Sequence, residues 1–282
     1  MNRREIRLIL KQLEIMPNKQ LGQNFLIDKN VINRIILLSE VSKNDIVLEV
    51  GPGLGALTEQ LIKSVNKLYA IEIDKRLYSY LSQKFSNFNN IEIINGDILE
   101  IDIPFHNKMV SNIPYKITGP ILHKIFFKEK PPEGILLIEK SIADRIFLPK
   151  NYKSFSRIGI SVNAFMKPIS KSNISEMSFF PSPKIGLSLI KIIPREIINP
   201  FLLDKSSKDY FLKFIAGIMP YKNRNIVNAI DMFFKTLKDN HYNKEEILML
   251  LQENNYQNKK LFSFKIQEFI EISKLFYLKN KN

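Results

Sequence analysis

Between residues 28 and 193 the apolar positions switch repeatedly between two spacings. Short β-branched runs occupy Ile46–Val50, 68–73, 91–94, 108–110 and 134–138, and apolar positions at helical spacing occupy 56–64, 75–85 and 120–127 between them. Strands that are apolar throughout and alternate with helices predict βαβ units and a parallel sheet buried on both faces. Asp28 stands where it would N-cap a helix through about Leu38, with Val31, Ile35 and Leu38 on one face. Two later runs, 161–165 and 187–193, have no clear helix between them and are expected to pair antiparallel at the sheet edge.

The pattern changes at Pro194 and Pro200. Beyond them only helical spacing remains, near 208–218, 225–235, 244–254 and 264–278, and Asn243 with Glu246 has the spacing of a capping box. At the other end, Ile6, Ile9, Leu10 and Leu13 fall on one helical face with Arg3, Arg4 and Arg7 between them. Glu5, Glu14 and the lack of serine argue against a transit peptide, and no secretory signal follows, so this is a short amphipathic helix of a cytoplasmic protein. The expected architecture is α/β: a Rossmann-like sheet domain over residues 1–194 and a small all-α domain over 195–282.

Composition removes several classes of function. A chain of 282 residues that is 45% apolar and 11% aromatic folds around a core and is not mainly disordered. No apolar run reaches membrane-spanning length, so no membrane association is expected. With no cysteine, disulfide scaffolds, thiolate metal sites and cysteine nucleophiles are excluded. His106, His123 and His241 are the only imidazoles and no HExxH occurs, so no metal is expected. The net charge is +14 and unevenly spread: residues 31–104 hold seven basic against ten acidic residues, 105–175 twelve against four, and 195–282 fifteen against ten. A basic middle and tail suit a polyanion, because each neutralised phosphate releases a counterion; a merely solvated lysine-rich face is the plainer alternative.

The run Ile46–Val50 leads directly into Gly51-Pro52-Gly53-Leu54-Gly55, and Glu72 closes the next strand twenty-one residues after Gly51. Glycines there permit a tight turn and close approach of a ligand to the backbone, and an acid in that place accepts both hydroxyls of a ribose. The loop also satisfies a dinucleotide fingerprint, which keeps a dehydrogenase open, but no Gly-Lys-Ser/Thr follows for a Walker A loop. Glu49 before the loop, Gly96-Asp97 closing the third strand with an acceptor for an adenine amine, and the acidic balance of 31–104 favour S-adenosylmethionine.

The fourth strand runs into Ser111-Asn112-Ile113-Pro114-Tyr115, at the carboxyl edge where open α/β sheets bind ligands. An exocyclic amine on a base is a poor nucleophile because its lone pair is delocalised into the ring. Acceptors on its N–H groups favour a tetrahedral nitrogen and free that pair. The Asn112 side chain and a backbone carbonyl of Ile113 or Pro114 are candidates; Pro114 sets the turn and Tyr115 offers a face for a flipped-out base.

These motifs resemble, in order and spacing, the ribosomal RNA adenine dimethyltransferases (the KsgA family). The resemblance is carried by 19–28 (KQLGQNFLID), 49–58, Glu72, Gly96-Asp97, 112–115 and 179–185 (FFPSPKI), and covers about residues 18–195. It implies an enzyme that transfers two methyl groups from S-adenosylmethionine to N6 of each of two adjacent adenosines in the 3′-terminal hairpin loop of small-subunit rRNA. It implies cofactor contacts from Asn24, Leu26, Gly51, Gly53, Glu72, Asp97 and Asn112. The target amine would be held by Asn112, with Tyr115 and Phe179 sandwiching the adenine. Small-subunit rRNA within a pre-ribosomal particle is the expected partner, the protein acting as a monomer in ribosome biogenesis. Ile113 stands where leucine is more usual, and Gly186-Leu187 where Asp-Ser is common. Large-subunit rRNA as substrate, or a non-catalytic assembly or transcription factor on the same fold, are the alternatives.

Overall fold

The structure is a computed structural model that describes residues 3–17, 23–147, 155–237 and 242–279. In chain order the elements begin α1 (Arg3–Gln12), β1 (Phe25–Leu26), α2 (Lys29–Ser39), β2 (Ile46–Val50), α3 (Thr58–Ser64), β3 (Lys67–Glu72), α4 (Lys75–Lys84), β4 (Ile91–Asn95), β5 (Lys108–Asn112) and α5 (Thr118–Phe126). They continue with β6 (Glu133–Glu139), α6 (Lys140–Ile146), α7 (Arg157–Phe165), β7 (Met166–Ile174), β8 (Phe179–Phe180) and β9 (Leu187–Pro194). Helices α8 (Lys205–Ile218), α9 (Ile226–Phe234), α10 (Lys244–Glu253) and α11 (Ile266–Lys279) complete the chain.

Seven strands form one sheet in the order β4-β3-β2-β5-β6-β9-β7. Strands β2 to β6 run parallel, and β9 lies antiparallel to β6 with Gly134 opposite Ile192 and Glu139 opposite Leu187. The order reverses between β2 and β5, so the carboxyl ends of β2, β3, β4 and β5 open onto one crevice. Val47, Leu48, Leu68, Ala70, Val110, Ile135 and Leu137 are fully buried, as strands covered on both faces must be. A second, two-stranded sheet pairs β1 with β8, Phe25 opposite Phe180 and Leu26 opposite Phe179. It is pinned to α2 by Asp28, whose carboxylate N-caps the helix at Asn30 N (2.9 Å) while accepting from Ser178 Oγ (2.9 Å).

The run 161–165 is not an edge strand; it lies inside α7. Ser156 caps that helix by accepting from Gly159 N at 3.3 Å, and every residue from Gly159 to Phe165 is buried. A short apolar run reads alike as a buried strand or a helix buried all round, and here the helix wins. The edge strand is the next segment, β7, whose residues alternate between covered and uncovered and include Lys167, Pro168 and Lys171, which discourage further pairing.

The described residues separate into two compact units. One comprises residues within 1–126, 130–143 and 167–194; the other, residues within 127–129, 144–166 and 195–282. The helical unit therefore takes in α7 from inside the first 194 residues, where the sequence pattern places a single boundary at 194. Its core is aromatic: Phe211, Phe214, Phe269 and Phe276 are fully buried, with the Phe234 and Phe276 rings 5.2 Å apart edge to face. Glycine at 217 on α8 is required by close approach, since a Cβ there would stand 2.0 Å from the Phe233 ring of α9. Gly217→Ala should cost about 1–3 kcal/mol by overpacking, read as a lowered midpoint in thermal or denaturant unfolding.

Candidate functional site

The crevice is built from four strand ends. At the end of β2, Gly51, Gly53 and Gly55 take φ of +69°, +59° and +77°, the left-handed region that only glycine enters freely. The loop is held from both sides. Gly51 N donates to Ile71 O (2.9 Å), and Gly53 N donates to Glu72 Oε2 (3.1 Å). A Cβ on Gly51 would reach the Pro114 ring at 3.4 Å, so the second motif packs directly on the first. Gly51→Ala should cost about 1–2 kcal/mol in backbone strain alone and weaken cofactor binding about tenfold, measurable by titration calorimetry.

Glu72 closes β3 and is 4% exposed. Burial pushes its carboxyl up to about 7, although the amides of Asp74 and Gly53 favour the ionised form. Glu49, 2% exposed, accepts from Thr58 Oγ1 at 2.7 Å. Burial, opposed by that bond and assisted by the neighbouring Glu72 charge, raises it to about 8. Glu49 is thus a neutral carboxyl at pH 7 that secures the start of α3, while Glu72 is poised to ionise. Asp97 lies beyond β4, placed by a bond from Gly96 N to Glu72 O (3.1 Å), and its carboxylate accepts from Leu99 N (2.8 Å).

Residues 23 and 24 cross the crevice as a strap. Gln23 Nε2 donates to Asp74 Oδ2 and Asn112 Nδ2 donates to Asn24 O, both at 3.2 Å. Asn112 ends β5, which is tied to β2 by Val50 N donating to Ser111 Oγ (2.8 Å). The Asn112 Nδ2 group is engaged, but its buried Oδ1 has no hydrogen-bond partner. An acceptor left open inside a binding crevice awaits a donor from a ligand.

The crevice brings together Asn24, Gly51, Gly53, Glu72, Asp97, Asn112 and Pro114. Leu26 borders a smaller adjoining cleft with Glu49, Gly51 and Asn112. Acceptors at β3 and β4, the strap and the open Asn112 acceptor fit a ligand with ribose hydroxyls and an amino-bearing base. Sequence reasoning missed the apolar lining: Ile73, Ile98 and Ile117 border the same crevice as Glu72, Asp97 and Asn112. The available signal was position alone, since Ile73 and Ile98 each follow an acid at a strand end.

The two aromatics stand apart from this space. Tyr115 is half-buried against the core that contains Leu26 and Phe179, and its buried hydroxyl has no partner. Burial holds that phenol well above its usual range. Phe179 is 0% exposed and has no free face, so the expected sandwich is not formed around an open slot. Its place opposite Leu26 in the β1–β8 ladder encloses it. Of the segment 19–28, residues 19–22 lie outside the described residues.

A glycine loop, a buried acid and an open amide acceptor thus meet at the carboxyl edge of one parallel sheet, as a methyltransferase that binds a nucleoside cofactor requires. The chain belongs to the ribosomal RNA adenine dimethylase family, whose pattern matches residues 16–270. It is an S-adenosylmethionine-dependent rRNA adenine dimethyltransferase. It is 32% identical over 277 residues to the ribosomal RNA small subunit methyltransferase A of Borrelia garinii subsp. bavariensis, covering 95% of this chain and 92% of the relative. The protein of the same name from Oceanobacillus iheyensis is 31% identical over 281 residues, covering 95% and 93%. Among solved structures, a dimethyladenosine transferase from Plasmodium falciparum superposes with a TM-score of 0.77 at 24% identity, over 91% of this chain and 98% of that one. The 23S rRNA methyltransferase ErmE gives 0.61 at 22% identity, over 89% and 99%. Both share the fold.

Proposed function

We propose that the protein dimethylates N6 of two adjacent adenosines in the 3′-terminal hairpin loop of small-subunit rRNA. The unpartnered Asn112 Oδ1, buried in the crevice, carries the chemical part of this reading. Relatives named for the small subunit, and aligned over nearly the whole chain, support the choice of subunit.

S-adenosylmethionine, when bound, would supply a methyl group on a sulfonium, whose C–S bond breaks as N–C forms and whose neutral thioether leaves without acid assistance. Glu72 would hold the ribose, Asp97 with Ile73 and Ile98 would take the adenine, and Asn24 would border the cofactor. Asn112 Oδ1 accepts one N–H of the target amine. Pro114 O already accepts from Ile117 N (3.1 Å), which favours Ile113 O as the second acceptor. Two acceptors pull the amine toward tetrahedral geometry and free its lone pair. The alkylated nitrogen is acidic and releases its proton to water, so no strong base is required; positioning and electrostatics do the catalysis. After one transfer a single N–H remains, and Asn112 Oδ1 is the acceptor that keeps it for the second.

Tyr115 is proposed as the stacking face for the target base, with Phe179 backing it from the core. Tyr115→Ala should lose about 1–3 kcal/mol of base stacking, seen as a raised KM for RNA. Tyr115→Phe should behave as wild type, because the hydroxyl has no partner to lose. A Tyr115→Phe enzyme as impaired as Tyr115→Ala would contradict the stacking role.

No helix among the described residues is long and apolar enough to cross a membrane. The finer placement proposed is a monomer acting in the cytoplasm on a pre-ribosomal small subunit, and the +14 charge supports the rRNA partner. The basic helical unit is proposed to hold surrounding rRNA. The substrate assignment is tested by primer extension on small- and large-subunit RNA after incubation with enzyme and S-adenosylmethionine. Dimethylation removes both N6 donors and blocks pairing, so two adjacent stops in the small-subunit hairpin are expected. Stops only in large-subunit RNA would overturn the choice of subunit.

A further inference from the structure

Helix α1 carries charge where helix formation alone disfavours it. Arg3, Arg7 and Lys11 recur every four residues, so like charges lie one turn apart on one stripe. Arg3 and Arg4 also sit at the helix start, where the macrodipole favours acids; Glu5 is the one acid within the helix. Its other face is fully committed, with Ile6 (0% exposed) and Leu10 (4%) packed in one cluster with Phe25 and Leu77, which wall the cofactor crevice. The cationic stripe is therefore fixed in place rather than free to avoid itself.

That stripe borders an open groove. Arg7, Lys11, Phe180 and Pro181 line it together with Leu10 and Ile15. The Arg7 guanidinium lies 5.3 Å from the centre of the Phe180 ring, and Arg3 Nη2 donates to Met177 O at 3.3 Å, which fastens α1 to the segment carrying β8. Among the described residues, Glu14 is the only acid on the rim. Phe180 pairs with Phe25, itself a wall of the cofactor crevice, so groove and crevice share the β1–β8 ladder.

We propose that this groove is a docking track for a single-stranded segment of the RNA substrate. Arg7 and Lys11 take phosphates, and Phe180 with Pro181 gives a base an apolar face. Cations interleaved with an aromatic platform are what single-stranded nucleic acid requires, and the charge complementarity favours this occupant over a protein. The inference rests on the rRNA reading above and adds to it a contact surface outside the crevice.

The test measures anisotropy of a fluorescent 12-nucleotide single-stranded RNA titrated with the full-length protein over a range of salt. Arg7→Gln/Lys11→Gln keeps helix-forming side chains while removing two charges. Its Kd should rise tenfold or more, and its salt slope should fall by about 1.4, since each phosphate contact on a single strand contributes about 0.7. The KM for rRNA should rise with it while the Kd for S-adenosylmethionine stays at the wild-type value, which shows that the crevice is intact. Lys43→Gln/Lys63→Gln removes the same charge from exposed positions elsewhere and should leave the slope unchanged. Phe180→Leu should weaken binding with no change in slope. Wild-type RNA binding by Arg7→Gln/Lys11→Gln, or an equal loss in the Lys43/Lys63 control, overturns the proposal, as does a loss confined to binding an acidic protein. If wild-type enzyme binds RNA through α1 yet methylates no rRNA, the substrate reading fails and the track stands; methylation unaffected by α1 gives the reverse.

Discussion

Asn112→Ala should lower kcat for methyl transfer about a thousandfold, the scale seen when one preorganised hydrogen-bonding group is removed from a reacting centre. The substitution deletes both ends of the amide. Loss of Nδ2 removes the bond to Asn24 O, a net effect of about 0.5–1.5 kcal/mol, so cofactor affinity should fall no more than about tenfold. Loss of Oδ1 removes the acceptor that holds the target amine, and that loss falls on the chemical step. Single-turnover rates with saturating cofactor and RNA separate the two. A variant that binds cofactor and turns over at the wild-type rate would remove Asn112 from the mechanism.

Glu72→Ala should weaken S-adenosylmethionine binding by about 2 kcal/mol, or roughly thirtyfold, as for hydrogen bonds to a charged acceptor. The pH profile is the sharper reading. The free carboxyl sits at about 7, and ribose hydroxyls bind its ionised form, so affinity should rise as pH climbs through 7 and level off above. Below that point Kd should worsen about tenfold per pH unit. Glu72→Gln should bind weakly with a flat profile across the same range. Stability of the free protein runs the other way. Glu72 and Glu49 hold protons more tightly folded than unfolded, so their contribution is fully present below about 4.5 and lost as pH rises through about 7 and 8. A wild-type Kd that is flat between pH 6 and 8 would show that the Glu72 carboxylate does not receive the ribose.

The sheet was legible because each buried strand is a continuous apolar run and each is punctuated at its carboxyl end. Asp28 and Asn243 cap their helices as their spacing predicts, Asn243 exchanging bonds with Glu246 at 2.8 and 2.9 Å. Gly51, Glu72, Asp97 and Asn112 were legible for a related reason. Each is a polar or flexible residue at the end of an apolar strand, where the topology leaves one crevice for them to share. What failed to show was whatever depended on packing between distant segments. The helix over 161–165 carries no period because all its sides are covered. The two-residue strands β1 and β8 are too short for any pattern, yet their pairing decides that Phe179 is enclosed and Phe180 faces the groove. Ile73 and Ile98 look like ordinary strand-end residues until the fold places them in the lining of the crevice. The open Oδ1 of Asn112 is likewise a property of the assembled site: the amide was visible in the sequence, its missing partner was not.

The most direct test of the central claim is to incubate the protein with methyl-labelled S-adenosylmethionine and small subunits lacking the modification, digest the RNA to nucleosides and identify the labelled one. The expected label is N6,N6-dimethyladenosine, two residues per subunit, formed about a thousandfold more slowly by Asn112→Ala. Label in any other nucleoside, or none despite intact cofactor binding, would contradict it.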